Sequence, residues 1–333
     1  VTIEAQFNNY QSQTIQFYFE VVERSTEMEV YVDNSQKMED ETILVDVNQK
    51  LNITVFYRDN VSKLHISNAI VTVLGGNFSE TSNQYNYSLD TNSLEQGISI
   101  LTIFTHLDNY QPQTFQFYIH VIERASQIQL FLDLEDKTND PAVELPIGSN
   151  LNITIKYTDN QTGLHINGGN VQLTADGFSE NLTESLILEQ YTLILNTSTL
   201  KIGVNLFTIL VHATNFQHKS INLRITVNKI STLINSTSGE SYISLLIGEN
   251  LMLSVVLKDL DFGGNIFDAL VTYRWAYGNG TLLDDDHDGV YKTEIVNLPI
   301  GTYTITITAF AGDTYSFITY KITLNVVSES FPD

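Results

Sequence analysis

The sequence predicts an all-β chain of tandem β-sandwich domains, about seven antiparallel strands each, strung into an elongated rod. Three observations carry that prediction. Short segments alternate apolar and polar residues almost throughout, Asn, Asp and Gly separate them, and the pattern returns at intervals near 100 residues. The stretch LNITIKYTDNQTGLHINGGNVQL (Leu151 to Leu173) repeats LNITVFYRDNVSKLHISNAIVTV (Leu51 to Val73), and LMLSVVLKDLDFGGNIFDALVTY (Leu251 to Tyr273) is a third copy.

The strands of the first repeat read MEVYV, ETILVDV, LNITVFY, AIVTVLG, YNYSL, GISILTIFTH and TFQFYIHVI. In the last of these, Phe115, Phe117, Ile119 and Val121 share one face and Gln116, Tyr118 and His120 the other, the signature of a half-buried antiparallel strand. β-branched and aromatic residues are plentiful, as strands prefer, and no segment reads as a helix. The domains are expected at 25–124, 125–229 and 230–328, with a tail at 329–333. Only VERST, IERAS and VNKIS stand between them, and none is a Gly/Ser- or Pro-rich linker, so the junctions are expected to be stiff.

Residues 1–24 match the last two strands of a repeat, since VTIEAQFNNYQSQTIQFYFEVVERST (Val1 to Thr26) parallels Leu101 to Ser126. Ile15, Phe17, Phe19 and Val21 would form an apolar face with nothing in this chain to cover it. Two explanations compete: a sequence cut from a longer array, or strand complementation of residues 1–24 by another subunit.

Composition narrows the function. The chain has 333 residues and no cysteine, which excludes a disulfide-built ectodomain, thiol catalysis and cysteine metal sites. A formal charge of -23 argues against nucleic acid and anionic membrane as partners. It suits divalent cations, salt water or basic partners, or simply colloidal repulsion. No run approaches the roughly 18 apolar residues of a membrane span, so no direct membrane insertion is expected in this segment. VTIEAQFNNY lacks the layout of a signal peptide, so an exported chain would have its leader outside this sequence.

N-linked glycans are expected. Acceptor triplets begin at Asn52, Asn60, Asn77, Asn86, Asn152, Asn160, Asn181, Asn196, Asn235 and Asn279. Composition alone would give roughly five such triplets rather than these ten. In LNITV, Leu51, Ile53 and Val55 face one way and Asn52 the other, so sugar there would leave the core alone.

The sharpest chemical motif is Asp284-Asp285-Asp286-His287-Asp288-Gly289. Asp284, Asp286 and Asp288 before Gly289 resemble the start of a calcium loop, in which alternate carboxylates converge on a hard cation. The twelfth position is Ile295 rather than an acid, and Glu294 falls one short. Calcium is one reading of this loop, and an acidic connection between strands is the other. Asp259, Asp261 and Asp268 read as a loop after a strand. His65 with His165, and His106 with His212, recur in register without the spacing of a metal site, and for His106 and His212, in a strand and its immediate exit, packing or a satisfied hydrogen bond is expected. Trp275 is expected in a sandwich core, and Tyr303 in a corner contact. The sequence contains no nucleophile elbow, P-loop or dinucleotide fingerprint, and no enzyme is expected.

The third repeat, ALVTYRWAYGNGTLLDDDHDGVYKTEIVNLPIGTYTITITA (Ala269 to Ala309), resembles the Ig-like repeats of large archaeal cell-surface proteins, Asgard (Lokiarchaeota-like) proteins in particular. The residues that carry this are Val271, Tyr273, Trp275, Gly289, Tyr291, Gly301, Tyr303 and Ile305. The first two repeats keep the strand order but lack the Trp and the Gly-Thr-Tyr. The resemblance implies an extracellular stalk, adhesin or surface layer without catalytic residues. Its partners would be further copies of the chain or neighbouring surface-protein domains.

Overall fold

The structure, a computed structural model, describes residues 1–328; the tail expected at 329–333 lies outside the described residues. The chain divides into two compact units, the first Val1–Ala125 with Asn215–Gln217, the second Ser126–Thr214 with His218–Asp333.

The first unit opens with a two-stranded hairpin, β1 (Thr2–Ala5) and β2 (Gln13–Gln16). A sandwich follows: β3 (Thr26–Val32), β4 (Ser35–Gln36), β5 (Thr42–Asp46), β6 (Lys50–Asp59), β7 (Ile70–Val73), β8 (Gly76–Asn77), β9 (Ser79–Thr81), β10 (Gln84–Asp90), β11 (Gly97–His106) and β12 (Gln113–Ile122). One sheet runs β4-β3-β6-β10-β9 and the other β5-β12-β11-β7-β8. All pairings are antiparallel except β5 with β12, because the chain crosses from the first sheet to the edge of the second between β3 and β5. The seven expected strands are all present, and three short ones lengthen the sheet edges. The remaining regular structure is a 3-10 turn at Thr91–Ser93.

Alternation builds the core. Leu51, Ile53, Val55 and Tyr57 of β6 are buried while Asn52 between them is exposed. They meet Val71, Ile103, Phe117 and Ile119 from the other sheet in one cluster. Each such aliphatic residue contributes roughly 1.5–3 kcal/mol of transfer free energy. Tyr57 reaches the edge of this core, where its hydroxyl donates to the Gln111 carbonyl at 2.8 Å. The hydrogen-bonded frame extends back to Arg24: its N–H donates to the Asn109 carbonyl (2.9 Å), and Gln111 N–H donates to the Arg24 carbonyl (2.9 Å).

The hairpin departs from the expected strand. TIQFYFEVV reads as one strand, yet β2 ends at Gln16; Phe17 still exchanges two hydrogen bonds with Val1, both at 2.8 Å, and residues 18–22 form no strand. The matching β12 continues to Ile122 because β11 and β5 bond it on both sides. A strand without partners leaves its amides to water and has no reason to stay extended.

The second unit holds two sandwiches. The first comprises β13 (Ser126–Leu132), β14 (Glu135–Asp136), β15 (Ala142–Pro146), β16 (Asn150–Asp159), β17 (Asn170–Ala175), β18 (Phe178–Asn181), β19 (Thr183–Ser185), β20 (Gln190–Asn196), β21 (Gly203–His212) and β22 (Lys219–Asn228). Its sheets are β14-β13-β16-β20-β19 and β15-β22-β21-β17-β18, the same plan as before. The next comprises β23 (Ile230–Ser236), β24 (Tyr242–Leu246), β25 (Leu251–Asp259), β26 (Leu270–Trp275), β27 (Gly278–Leu282), β28 (Val290–Ile295), β29 (Gly301–Phe310), β30 (Tyr315–Ser316) and β31 (Tyr320–Val327). Its sheets are β28-β25-β23-β30 and β24-β31-β29-β26-β27. Here no short strand borders β28; the acidic loop fills that place, tied by a bridge between Leu283 and Lys292. The chain is thus a tandem array of Ig-like β-sandwiches.

Candidate functional site

The acidic loop joins β27 to β28, and it brings the three predicted carboxylates together: oxygens of Asp284, Asp286 and Asp288 lie within 4.8 Å of one another. The loop's own backbone holds them. Asp284 accepts from Asp288 N–H and Gly289 N–H, both at 3.0 Å, and Asp288 accepts from Val290 N–H at 2.8 Å. His287 at φ 51° and Gly289 at φ 80° turn the chain. Lys292 on β28 reaches back to Asp286 at 3.3 Å and Asp288 at 4.0 Å. A backbone hydrogen bond and the Lys292 ammonium hold the Asp286 carboxyl below its usual range, and Asp286 in turn raises the Lys292 ammonium. The ammonium already does part of what a bound cation would do. Glu294 is turned elsewhere, accepting from Asn250 Nδ2 at 2.9 Å, and Ile295 is buried in the core. The loop therefore offers a hard cation three oxygens from side chains and no bidentate carboxylate.

The ten acceptor asparagines fall on three surfaces. Asn52, Asn86, Asn152, Asn196 and Asn235 lie on the sheets built around β6, β16 and β25, Asn60 and Asn160 in the loops after β6 and β16, and Asn77, Asn181 and Asn279 on the short edge strands β8, β18 and β27. Asn86, Asn152 and Asn235 are half-buried and the other seven exposed. Three amides are occupied: Asn60 donates to Ser25, Asn86 to Thr81 and Asn196 to Asn150. Asn52, Asn77, Asn160, Asn181 and Asn279 combine exposure with an amide that makes no such bond.

A latch recurs in the sandwiches that the spacing alone did not reveal. Tyr85 on β10 donates its hydroxyl to the Ile66 carbonyl (2.7 Å) and accepts from Ala69 N–H (3.0 Å). Tyr191 does the same with Ile166 (2.7 Å) and Gly169 (2.9 Å), and Tyr291 with Ile266 (3.0 Å) and Ala269 (2.9 Å). In the first two sandwiches a histidine closes the latch. His65 Nε2 meets Glu80 and His165 Nε2 meets Glu184, both at 2.9 Å, and each ring packs on the latch tyrosine. The same carboxylates cap the Asn68 and Gly168 N–H groups. In the third, Asn265 stands in the histidine's place and donates to the Asp288 carbonyl at 2.9 Å. Burial pushes the Tyr191 phenol up to about 12. Hydrogen bonds from Asn68 and His65 hold Glu80 below its ordinary 4.5. Burial alone would raise Glu184, but hydrogen bonds from His165, Gly168 and Tyr191 bring it below 4.5 as well. His65 and His165 are thus hydrogen-bonded through Nε2 and packed on the latch tyrosines, while Nδ1 of each is buried without a hydrogen-bond partner among the described residues. His212 instead packs on His218, ring centroids 4.1 Å apart.

Asp259 caps the loop after β25 by accepting from Asp261 and Phe262 N–H groups at 2.9 and 2.8 Å, as Asp59 and Asp159 do in theirs. Trp275 packs against the third core but stays half-buried, in edge-on contact with Tyr277 (5.3 Å) and Tyr303 (5.5 Å). The Tyr303 hydroxyl donates to the Ile300 carbonyl at 2.9 Å, the expected corner contact.

No family model matches the chain. No curated protein matches it either. Many solved structures share the multi-sandwich layout. The titin I-band fragment I67–I69 is similar at 9% identity over 91% of this chain and 99% of its own (TM-score 0.34). Sidekick-1 immunoglobulin domains 1–5 are similar at 11% over 97% of this chain and 65% of theirs (TM-score 0.30). Extracellular domains 3–5 of Drosophila OTK are similar at 13% over 87% of this chain and 95% of theirs (TM-score 0.24). Such likeness carries no functional argument. No helix among the described residues is long and apolar enough to cross a membrane.

Proposed function

We propose that this chain is a non-enzymatic, extracellular structural protein: a glycosylated Ig-like rod that serves an archaeal cell surface as stalk, surface layer or filament. The observation that carries this reading is the N-terminal hairpin. Its register, Thr2 opposite Gln16 and Ile3 opposite Ile15, is that of Thr102 opposite Gln116 and Ile103 opposite Phe115 one repeat later. In β11 and β12 the corresponding residues Ile103, Phe117, Ile119 and Val121 are buried, at 0–1% exposure. In the hairpin Ile3, Phe17, Phe19 and Val21 are 44–95% exposed. Such a face calls for further strands to complete the sandwich, either from a preceding repeat of the same array or by augmentation from another copy, and both extend the array. Calcium at Asp284, Asp286 and Asp288 would stiffen the loop in that setting by replacing Lys292 as the carboxylates' partner.

Light-scattering mass of the natively produced protein, with and without a calcium chelator, tests the reading. A defined assembly supports it, and dissolution by chelator assigns the acidic loop a part. A monomer at every concentration sinks the assembling role. The second reading, an adhesin, is favoured by the half-exposed aromatic group of Trp275, Tyr277 and Tyr303, which offers rings to a sugar or protein.

A further inference from the structure

The same sheet face carries different chemistry in the third sandwich. On β11 the outward residues include exposed Ile98, Ile100 and Phe104; on β21 they include Val204, Leu206 and Leu210. On β29 they are Thr302, Thr304, Thr306 and Thr308, a hydroxyl ladder of roughly 20 Å at the strand's rise per residue, which ends at exposed Phe310 opposite exposed Leu270. Two cations flank it in one row: Arg274 on β26 stands opposite Thr306, and Thr306 opposite Lys321 on β31. Neither cation makes an ion pair or a side-chain hydrogen bond among the described residues.

The setting makes this row unusual. Residues 230–328 contain eleven Asp and Glu, yet none of the five strands β24, β31, β29, β26 and β27 contains one. The equivalent sheets of the other sandwiches do, with Asp46 on β5 and Glu144 on β15. On a chain of charge -23, this face is positive. A groove of about 660 Å³ opens on it, lined by Thr272, Arg274, Asn279, Thr281, Thr306 and Thr308. Thr272 and Thr308 already share a hydrogen bond across the groove at 2.8 Å, which fixes two hydroxyls in place.

We propose that this face binds an acidic saccharide chain, Arg274 and Lys321 pairing with its carboxylate or sulfate groups and the threonine hydroxyls bonding to its sugar hydroxyls. Charged hydrogen bonds from Arg and Lys are the strong contacts in such a site. A hydroxyl lining suits a ligand rich in hydroxyls; Tyr273 at the groove and Phe310 at the end of the face are its aromatic rings, and the DNA titration below separates base stacking from saccharide binding. Global repulsion does not forbid the encounter, because at physiological salt charges beyond about 8 Å are screened. The site lies within one sandwich and is independent of how the N-terminal hairpin is covered.

The test uses the full chain carrying Asn279→Gln, which keeps any glycan off the groove wall. Calorimetric titration at roughly 0.15 M salt compares polygalacturonate, dextran sulfate, neutral dextran and single-stranded DNA. The expected result is binding to polygalacturonate or dextran sulfate, weakened by added salt, and none to dextran. Which polymer binds tells carboxylate from sulfate. Arg274→Gln with Lys321→Gln should weaken binding about tenfold or more, with the thermal midpoint unchanged. Lys292→Gln, which removes a cation from the acidic loop, should leave it intact. The proposal is overturned if neither polyanion binds, if dextran or DNA binds as tightly, if the double variant keeps wild-type affinity, or if Lys292→Gln weakens binding as much.

Discussion

Single residues fix the turns on which these sandwiches depend. β3 folds back into β4 through Asp33 and Asn34, at φ 47° and 65°, a two-residue turn in the left-handed region that these residues tolerate. One repeat on, the turn is Asp133 and Leu134, and Leu134 adopts φ 73° with 84% of its surface exposed. The leucine bears the strain of that conformation and buries almost nothing in return. Leu134→Asn should therefore stabilise the second sandwich by about 0.5–1 kcal/mol, read as a higher urea midpoint with an unchanged slope. The latch residues set a pH dependence. Glu80 titrates below its ordinary 4.5 when folded, so its contribution is present above that value and is lost as pH falls through the lowered one. Stability against urea should decline below about pH 4.5, and Glu80→Gln should flatten that decline while lowering stability at neutral pH. Equal acid limbs in both proteins would contradict the latch.

At the scale of elements, strands persist where neighbours bond them and stop where neighbours are missing. β12 runs to Ile122 between β5 and β11, whereas β2 halts at Gln16 although its sequence alternates as far as Val22. If the exposed face of the hairpin drives association, Ile15→Ser with Phe17→Ser should leave the melting of the three sandwiches unchanged and reduce the mass seen by light scattering to that of one chain. Unchanged mass would place the contact elsewhere. Much of this was readable beforehand. Alternation marked every long strand, and the 100-residue offset carried even the register of the hairpin. The short edge strands were not readable, because two or three residues hold no periodicity. Nor were the latches: His165 and Glu184 lie 19 positions apart and meet only because His165 bridges Thr158 on β16 while Glu184 on β19 pairs with Tyr191 on the adjacent β20. The row of Arg274, Thr306 and Lys321 was hidden for the same reason, since cross-strand neighbours are remote in sequence. The aspartates of the acidic loop were visible as a motif, but their partner Lys292 and the diversion of Glu294 to Asn250 depend on side-chain geometry.

For the whole molecule, architecture and charge work together. Three sandwiches without disulfides rely on burial and hydrogen bonding, and a charge of -23 keeps such surfaces apart in solution. The apolar hairpin stands out against that background as the place where a further repeat or another chain would complete a sandwich. Hydrogen exchange on the natively produced protein, resolved to single amides, tests this most directly. The account predicts that Phe19 and Val21 exchange as slowly as Ile119 and Val121, their counterparts on β12, because strands of a further repeat or of another copy cover them. Exchange of Phe19 and Val21 at the rate of an open chain, beside protected Ile119 and Val121, would contradict it.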